Sequence, residues 1–146
     1  MTSSKGSMRR AVVLLSVSMA ALSCSNTIEE EDKTYTVVIS GTASDKVTSE
    51  PLRGIKINLY AAEEGNGEIH NINTRTDETG SFMLSAGGFT RQISCTITAD
   101  DENRIYSFAQ QDLKISWSGP TFDVYTNYFY VNDCDFYMEK MLKQAD

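Results

Sequence analysis

Pro51–Tyr60 reads P-L-R-G-I-K-I-N-L-Y, and Thr74–Phe82 reads T-R-T-D-E-T-G-S-F. In the first run Ile55, Ile57 and Leu59 alternate with Lys56, Asn58 and Tyr60. That period of two belongs to a half-buried strand, apolar on one face and polar on the other. The second run ends a polar strand, turns through Asp77–Gly80 and starts another strand at Phe82. Gly80 sits where such a turn needs φ > 0, a conformation glycine adopts without a Cβ clash.

The same pattern repeats on either side. Tyr35–Gly41 alternates through Tyr35, Val37 and Ile39, and Thr42–Glu50 reads as a polar connection. Asn66-Gly67 marks a hairpin tip. Ile69–Arg75 is polar enough for an edge strand. Phe82, Leu84 and Ala86 point inward from the next strand, which Gly87-Gly88 is expected to break. Gln92–Ala99 has the clearest alternation, with Ile93, Cys95, Ile97 and Ala99 on one face. Asp100–Arg104 reads as a turn. Leu113, Ile115 and Trp117 alternate before Gly119-Pro120, and Phe122–Met138 is an aromatic tail of one bent or two short strands, slipping phase near Tyr128. Met138–Ala145 is compatible with a last helical turn. No segment sustains a helical period. Strands at this spacing predict an all-β fold, a small antiparallel β-sandwich of about seven to eight strands.

With 146 residues the chain has room for one domain, and it carries a net charge of −7. The first 23 residues hold Lys5, Arg9 and Arg10 and no acid, so without them 10 bases face 20 acids. A chain of that sign repels nucleic acid and anionic headgroups, which excludes both as expected partners.

The N-terminus reads as an address. Arg9-Arg10 precedes an apolar run, Ala11–Leu22, that is too short to span a bilayer. Met8 is an alternative start that gives a leader of ordinary length. The end of the run, A-L-S-C at Ala21–Cys24, resembles a bacterial lipobox. Ser23 fits it; Ala21 stands where leucine is usual. The resemblance implies cleavage before Cys24 and lipidation of Cys24, several acyl chains giving stable anchoring; the alternative is an ordinary secretory signal. The expected organisation is a signal peptide over 1–23, an acidic tether over 24–33 and a β-sandwich over 34–146. Glu29–Asp32 resembles the acidic export signal of Bacteroidetes surface lipoproteins, and reads equally as a solvated linker.

Gly41, Pro51, Leu52, Gly54, Ile55, Ile57, Thr76, Gly80 and Phe82 together resemble the transthyretin-like (prealbumin-like) family. The similarity is to the carboxypeptidase regulatory-like domains of Bacteroidetes envelope proteins, over Val37–Asp101. The resemblance implies a fold and little about function, since these positions serve turns and packing. Two enzymatic relatives are excluded by inventory. Hydroxyisourate hydrolases need several active-site histidines and intradiol dioxygenases need two, whereas this chain has one, His70.

No catalytic residue stands out. A lone His70 beside a hairpin tip cannot supply a zinc site and reads as a surface residue. Cys95 and Cys134 both alternate with core positions. They are either a disulfide pair or two buried thiols, and neither has the adjacent base or positive field of a catalytic thiolate. Asp100 and Asp101 offer hard oxygens for calcium without EF-hand spacing, and otherwise form a solvated turn. Trp117, Tyr125, Tyr128 and Tyr130 are the candidate binding aromatics, in a tail where alternation sends about half of the rings inward. The sequence points to a non-enzymatic, lipid-anchored envelope protein, without cofactor, at the outer membrane on its periplasmic or outer side. It would bind another envelope protein; the alternative is glycan binding through the exposed aromatics.

Overall fold

The computed structural model describes residues 33–142. The expected signal peptide, Cys24 and the tether up to residue 32 lie outside the described residues, as does the chain beyond 142. Nine strands form within them: β1 Tyr35–Asp45, β2 Lys56–Glu63, β3 Ile69–Arg75, β4 Ser81–Phe89, β5 Ile93–Asp100, β6 Ala109–Ile115, β7 Phe122–Asp123, β8 Tyr128–Val131 and β9 Phe136–Met138.

They build two sheets. β1 is the spine of the first. β4 pairs antiparallel along one side of it, from Thr42–Ser81 to Tyr35–Phe89. Along the other side β8 and β9 lie end to end, both parallel to β1, from Thr36–Tyr128 to Ile39–Val131 and from Ala43–Phe136 to Asp45–Met138. β7 pairs with β8. The second sheet has the order β3–β2–β5–β6 and is antiparallel throughout.

The alternation read from the sequence decides which faces meet. Val37, Ile39, Phe82, Leu84, Phe89, Phe136 and Met138 enter the core from the first sheet; Ile57, Leu59, Ile93, Cys95, Ile97 and Ile115 enter from the second. Burying each of the larger aliphatic side chains stabilises the fold by about 1.5–3 kcal/mol, before the opposing loss of chain entropy. Tyr35, Phe89, Trp117, Phe122 and Phe129 form an aromatic cluster with these layers.

Turn chemistry holds the segments that resemble the family. Thr76 is buried; its Oγ1 accepts from Ile55 N at 3.0 Å and donates to Leu52 O at 2.5 Å, tying the approach to β2 to the end of β3. The Asp77 carboxylate accepts from Thr79 N and Ser81 N, both at 2.9 Å, and shapes the turn. Gly80 closes it at φ 74°, with its amide on Asp77 O and its Cα against the β1 backbone at Ala43.

Several expectations change. β1 runs on through Thr42–Asp45 instead of ending at Gly41. Its small residues look like a connection, but they are small because another chain crosses them. A Cβ on Gly41 would overlap the Cys134 carbonyl. Gly87-Gly88 does not end β4; the pairing slips by one residue there, and Gly88 at φ 85° absorbs the bulge. The β2–β3 tip turns through Glu63–Asn66 with Gly65 at φ 78°, one step before the Asn-Gly pair, because Asn66 N bonds back to Glu63 O. The aromatic tail makes three short strands, so the described residues hold nine, and two of the tail's strands pair in parallel with β1. No helical turn follows Met138 among the described residues; Lys140 instead bridges to Tyr106.

Candidate interaction surface

Strand register sorts every outward side chain onto one of two faces. On the second sheet Lys56, Asn58 and Tyr60 lie level with Arg75, Asn73 and Asn71, and with Asp100, Thr98 and Thr96. β6 adds Gln110, Asp112 and Lys114. This face mixes both signs of charge, as a solvated face usually does.

The outer face of the first sheet is different. β1 presents Thr36, Val38, Ser40, Thr42 and Ser44; β4 presents Met83, Ser85 and Gly87 beside them. β8 adds Tyr128 and Tyr130, level with Thr36 and Val38, and β9 adds Tyr137, level with Ser44. No lysine or arginine lies on it, and its acids are marginal. Asp123 is at the β7 end. Asp135 is held down, its Oδ1 accepting from Thr42 N and Thr42 Oγ1, each at 3.0 Å. Met83 is 67% exposed and Tyr137 64%. In a chain with 33 charged residues, a sheet face of tyrosine, serine, threonine and glycine is a distinct surface. Tyrosine offers rigid amphipathic area at low entropy cost, and small hydroxyl residues offer adaptable hydrogen bonds.

The four candidate aromatics do not share one place. Tyr128 and Tyr130 lie together on this face, ring centroids 6.2 Å apart. Tyr125 stands 94% exposed on the turn between β7 and β8, where Asn127 takes φ 61°. Trp117 belongs to the internal packing. It stacks on Tyr35 at 5.1 Å and 8°, lies near-parallel to Phe89, meets Phe129 edge-on, and donates Nε1–H to Arg91 O at 2.7 Å. Its placement removes it from an open sugar-stacking platform. Val38, Met83 and Tyr137 belong to the face and escape a reading by aromatic clusters. The signal that would reveal them is the absence of charge at alternate positions of three separate segments.

The other candidates resolve as structure. Cys95 and Cys134 are free thiols, both buried, with no bond between them. Burial pushes the Cys95 thiol up to about 12; burial, then the neighbouring Asp135 charge, pushes Cys134 up to about 11. Neither supplies a thiolate near neutral pH. His70 is half-buried, its ring 4.9 Å from that of Phe89. Asp101 departs from a calcium ligand because its carboxylate is taken by main-chain amides. Oδ1 accepts from Asn103 N, and Oδ2 accepts from Ile105 N and Tyr106 N, at 2.9–3.0 Å. Asp100 lies on the outer face of β5, level with Lys56. Among the described residues no three His, Cys, Asp or Glu side chains come together in a metal-holding group.

A concavity of about 540 Å³ lies between the 104–105 turn and the C-terminal segment, lined by Arg104, Ile105, Lys140, Met141 and Leu142. It exists because Met141 N bonds to Ile105 O at 2.8 Å and Lys140 bridges to Tyr106. Beneath it Asp45 accepts from Tyr106 Oη at 2.8 Å and from Val47 N and Thr48 N.

No family model matches the chain, and no curated protein sequence does. Among solved structures the chain is similar to the C-terminal domain of the shaft pilin spaA from Lactobacillus rhamnosus GG. The identity is 15%, over 75% of this chain and 99% of that one, with a TM-score of 0.36. The superposition is a loose one.

Proposed function

We propose that the chain is a non-enzymatic interaction module of a bacterial cell envelope, anchored by lipid at Cys24, with a prealbumin-like sandwich that docks another envelope protein. The docking surface is the outer face of the first sheet. The observation that carries the reading is the composition of that face: Tyr128, Tyr130, Tyr137, Met83 and Val38 set among serine, threonine and glycine, with no basic residue. Interface cores are depleted in charge and enriched in tyrosine and methionine, and a few such anchors supply most of the binding energy. The leader residues Arg9–Cys24 support the address. A protein partner is favoured over a glycan because Trp117 is engaged in packing, which leaves the glycan reading without its largest ring.

Site-specific photocrosslinking tests this reading. A photoreactive residue at Tyr130 in the native host should capture one envelope protein at near-stoichiometric yield, and the same probe at Thr96 on the second sheet should not. Capture from both positions, or from neither, overturns the docking face. Lipidation is tested separately: labelled fatty acid should enter the wild-type chain and be lost in Cys24→Ala.

A further inference from the structure

The two sheets have different edges. In the second, β3 carries Arg75, and β6 carries Asp112 and Lys114. Charged side chains of this kind are how sheets discourage strand addition. In the first sheet the margin opposite β4 is broken into three short strands, with Asp123 on β7 and Asp135 just before β9. β4 lacks such protection. Ser81–Phe89, S-F-M-L-S-A-G-G-F, holds no charge and no proline over nine residues. It pairs with β1 alone, so its other side has no strand partner among the described residues, and Met83 there is 67% exposed.

The register shows which peptide groups point into that open side. Ala43 N donates to Gly80 O at 2.8 Å, which places Phe82, Leu84 and Ala86 in the positions bonded to β1. The alternate β1 residues bond the opposite way: Thr36 N to Asn127 O, Thr42 N to Asp135 Oδ1, and Ser40 O from Cys134 N. On β4 the alternate residues are therefore Ser81, Met83 and Ser85, facing outward. Ser81 is satisfied by the turn, its amide on Asp77 Oδ1 and its carbonyl accepting from Asp77 N. Met83 and Ser85 keep two donors and two acceptors on an edge that ends at the Gly87-Gly88 bulge.

We infer that β4 is a self-pairing edge: two copies join antiparallel through it, on a two-fold axis at Leu84, with Met83 opposite the partner's Ser85. The window of free groups selects the occupant. Between Ser81, satisfied by its turn, and the Gly87-Gly88 bulge lie Met83 and Ser85. A two-fold axis at Leu84 matches all four of their free groups with those of a second copy, with no like charges in register to overcome beyond the net repulsion of two acidic chains. A two-fold pairing is self-complementary and closes, so it gives a dimer and no fibre. It would run the two tyrosine-bearing outer faces into one continuous sheet. The dimer does not depend on the docking reading, and its failure would leave that face intact.

Sedimentation of the full-length chain in mild detergent, from micromolar to millimolar concentration, tests the inference. The expected result is a concentration-dependent doubling of mass. Ser85→Pro removes an amide that the fold does not use, an exchange edge strands accept. It should keep the thermal transition and weaken the dimer at least about tenfold, two hydrogen bonds being lost by symmetry. Met83→Lys adds a charge to the edge and should do the same without touching the backbone. A monomer at every concentration, or a dimer that both variants leave unchanged, overturns the inference.

Discussion

Thr76 shows how one hydroxyl can hold a connection. Its Oγ1 takes the Ile55 amide and gives its proton to Leu52 O, both buried. Thr76→Val keeps the shape and leaves these two groups unpaired, so it should destabilise the fold by about 1–3 kcal/mol in urea denaturation. Asp45 is another such residue. The Thr48 amide, the Tyr106 hydroxyl and the Val47 amide hold its carboxyl below the ordinary value of 3.8. A carboxylate favoured in the native state binds its proton less readily there than in the unfolded chain. Its stabilisation is complete above the unfolded value and lost as pH falls through the lower native one. Asp45→Asn keeps the acceptor for the two amides. It should flatten the fall in melting temperature measured on acidifying below about pH 4, a region where the Asp77 and Glu63 carboxylates, also lowered, still contribute. The buried thiols give a third expectation: Cys95 and Cys134 should resist a thiol reagent in the native protein and react together once it unfolds.

At the scale of elements, the long β1 strand organises the first sheet. Its alternation is plain as far as Gly41, and beyond that its small residues hide it. Their size makes sense only under the chain that crosses them, where Cys134 N bonds to Ser40 O and Cys134 packs over Gly41. Gly41→Ala should therefore lift the 132–138 segment from β1. Hydrogen exchange would read this as faster exchange of the Phe136–Met138 amides, with the β2–β5 ladder of the second sheet far less affected. The turns were more legible. Gly80 and Asp77 announce their turn because its chemistry is local. Asn66-Gly67 misplaces its turn by a step, since Gly65 supplies the same positive φ one residue earlier.

For the whole molecule, the question is which outer face meets a partner. A face whose only charges are the marginal Asp123 and Asp135 can be desolvated at less cost, whereas the charges across the second sheet must each lose water or find a mate. Ser40→Lys places an unpaired charge in the middle of the first face and should weaken capture of the partner at least about tenfold. Thr96→Lys on the second sheet should leave it unchanged, and matched melting temperatures of the two variants would exclude a folding defect.

The sequence by itself determined the all-β class, the inward positions of β1, β2, β4 and β5, and the Asp77–Gly80 turn. All of these rest on contacts between near neighbours or on a simple period of two. Only the tertiary structure decided that β8 and β9 run parallel to β1, that Trp117 turns inward onto Tyr35 while Tyr128 and Tyr130 turn out, and that three distant segments make one face without lysine or arginine. Those outcomes depend on which strand lies beside which. A strand's pattern says which way each side chain points, and it carries no label for the neighbour across the ladder.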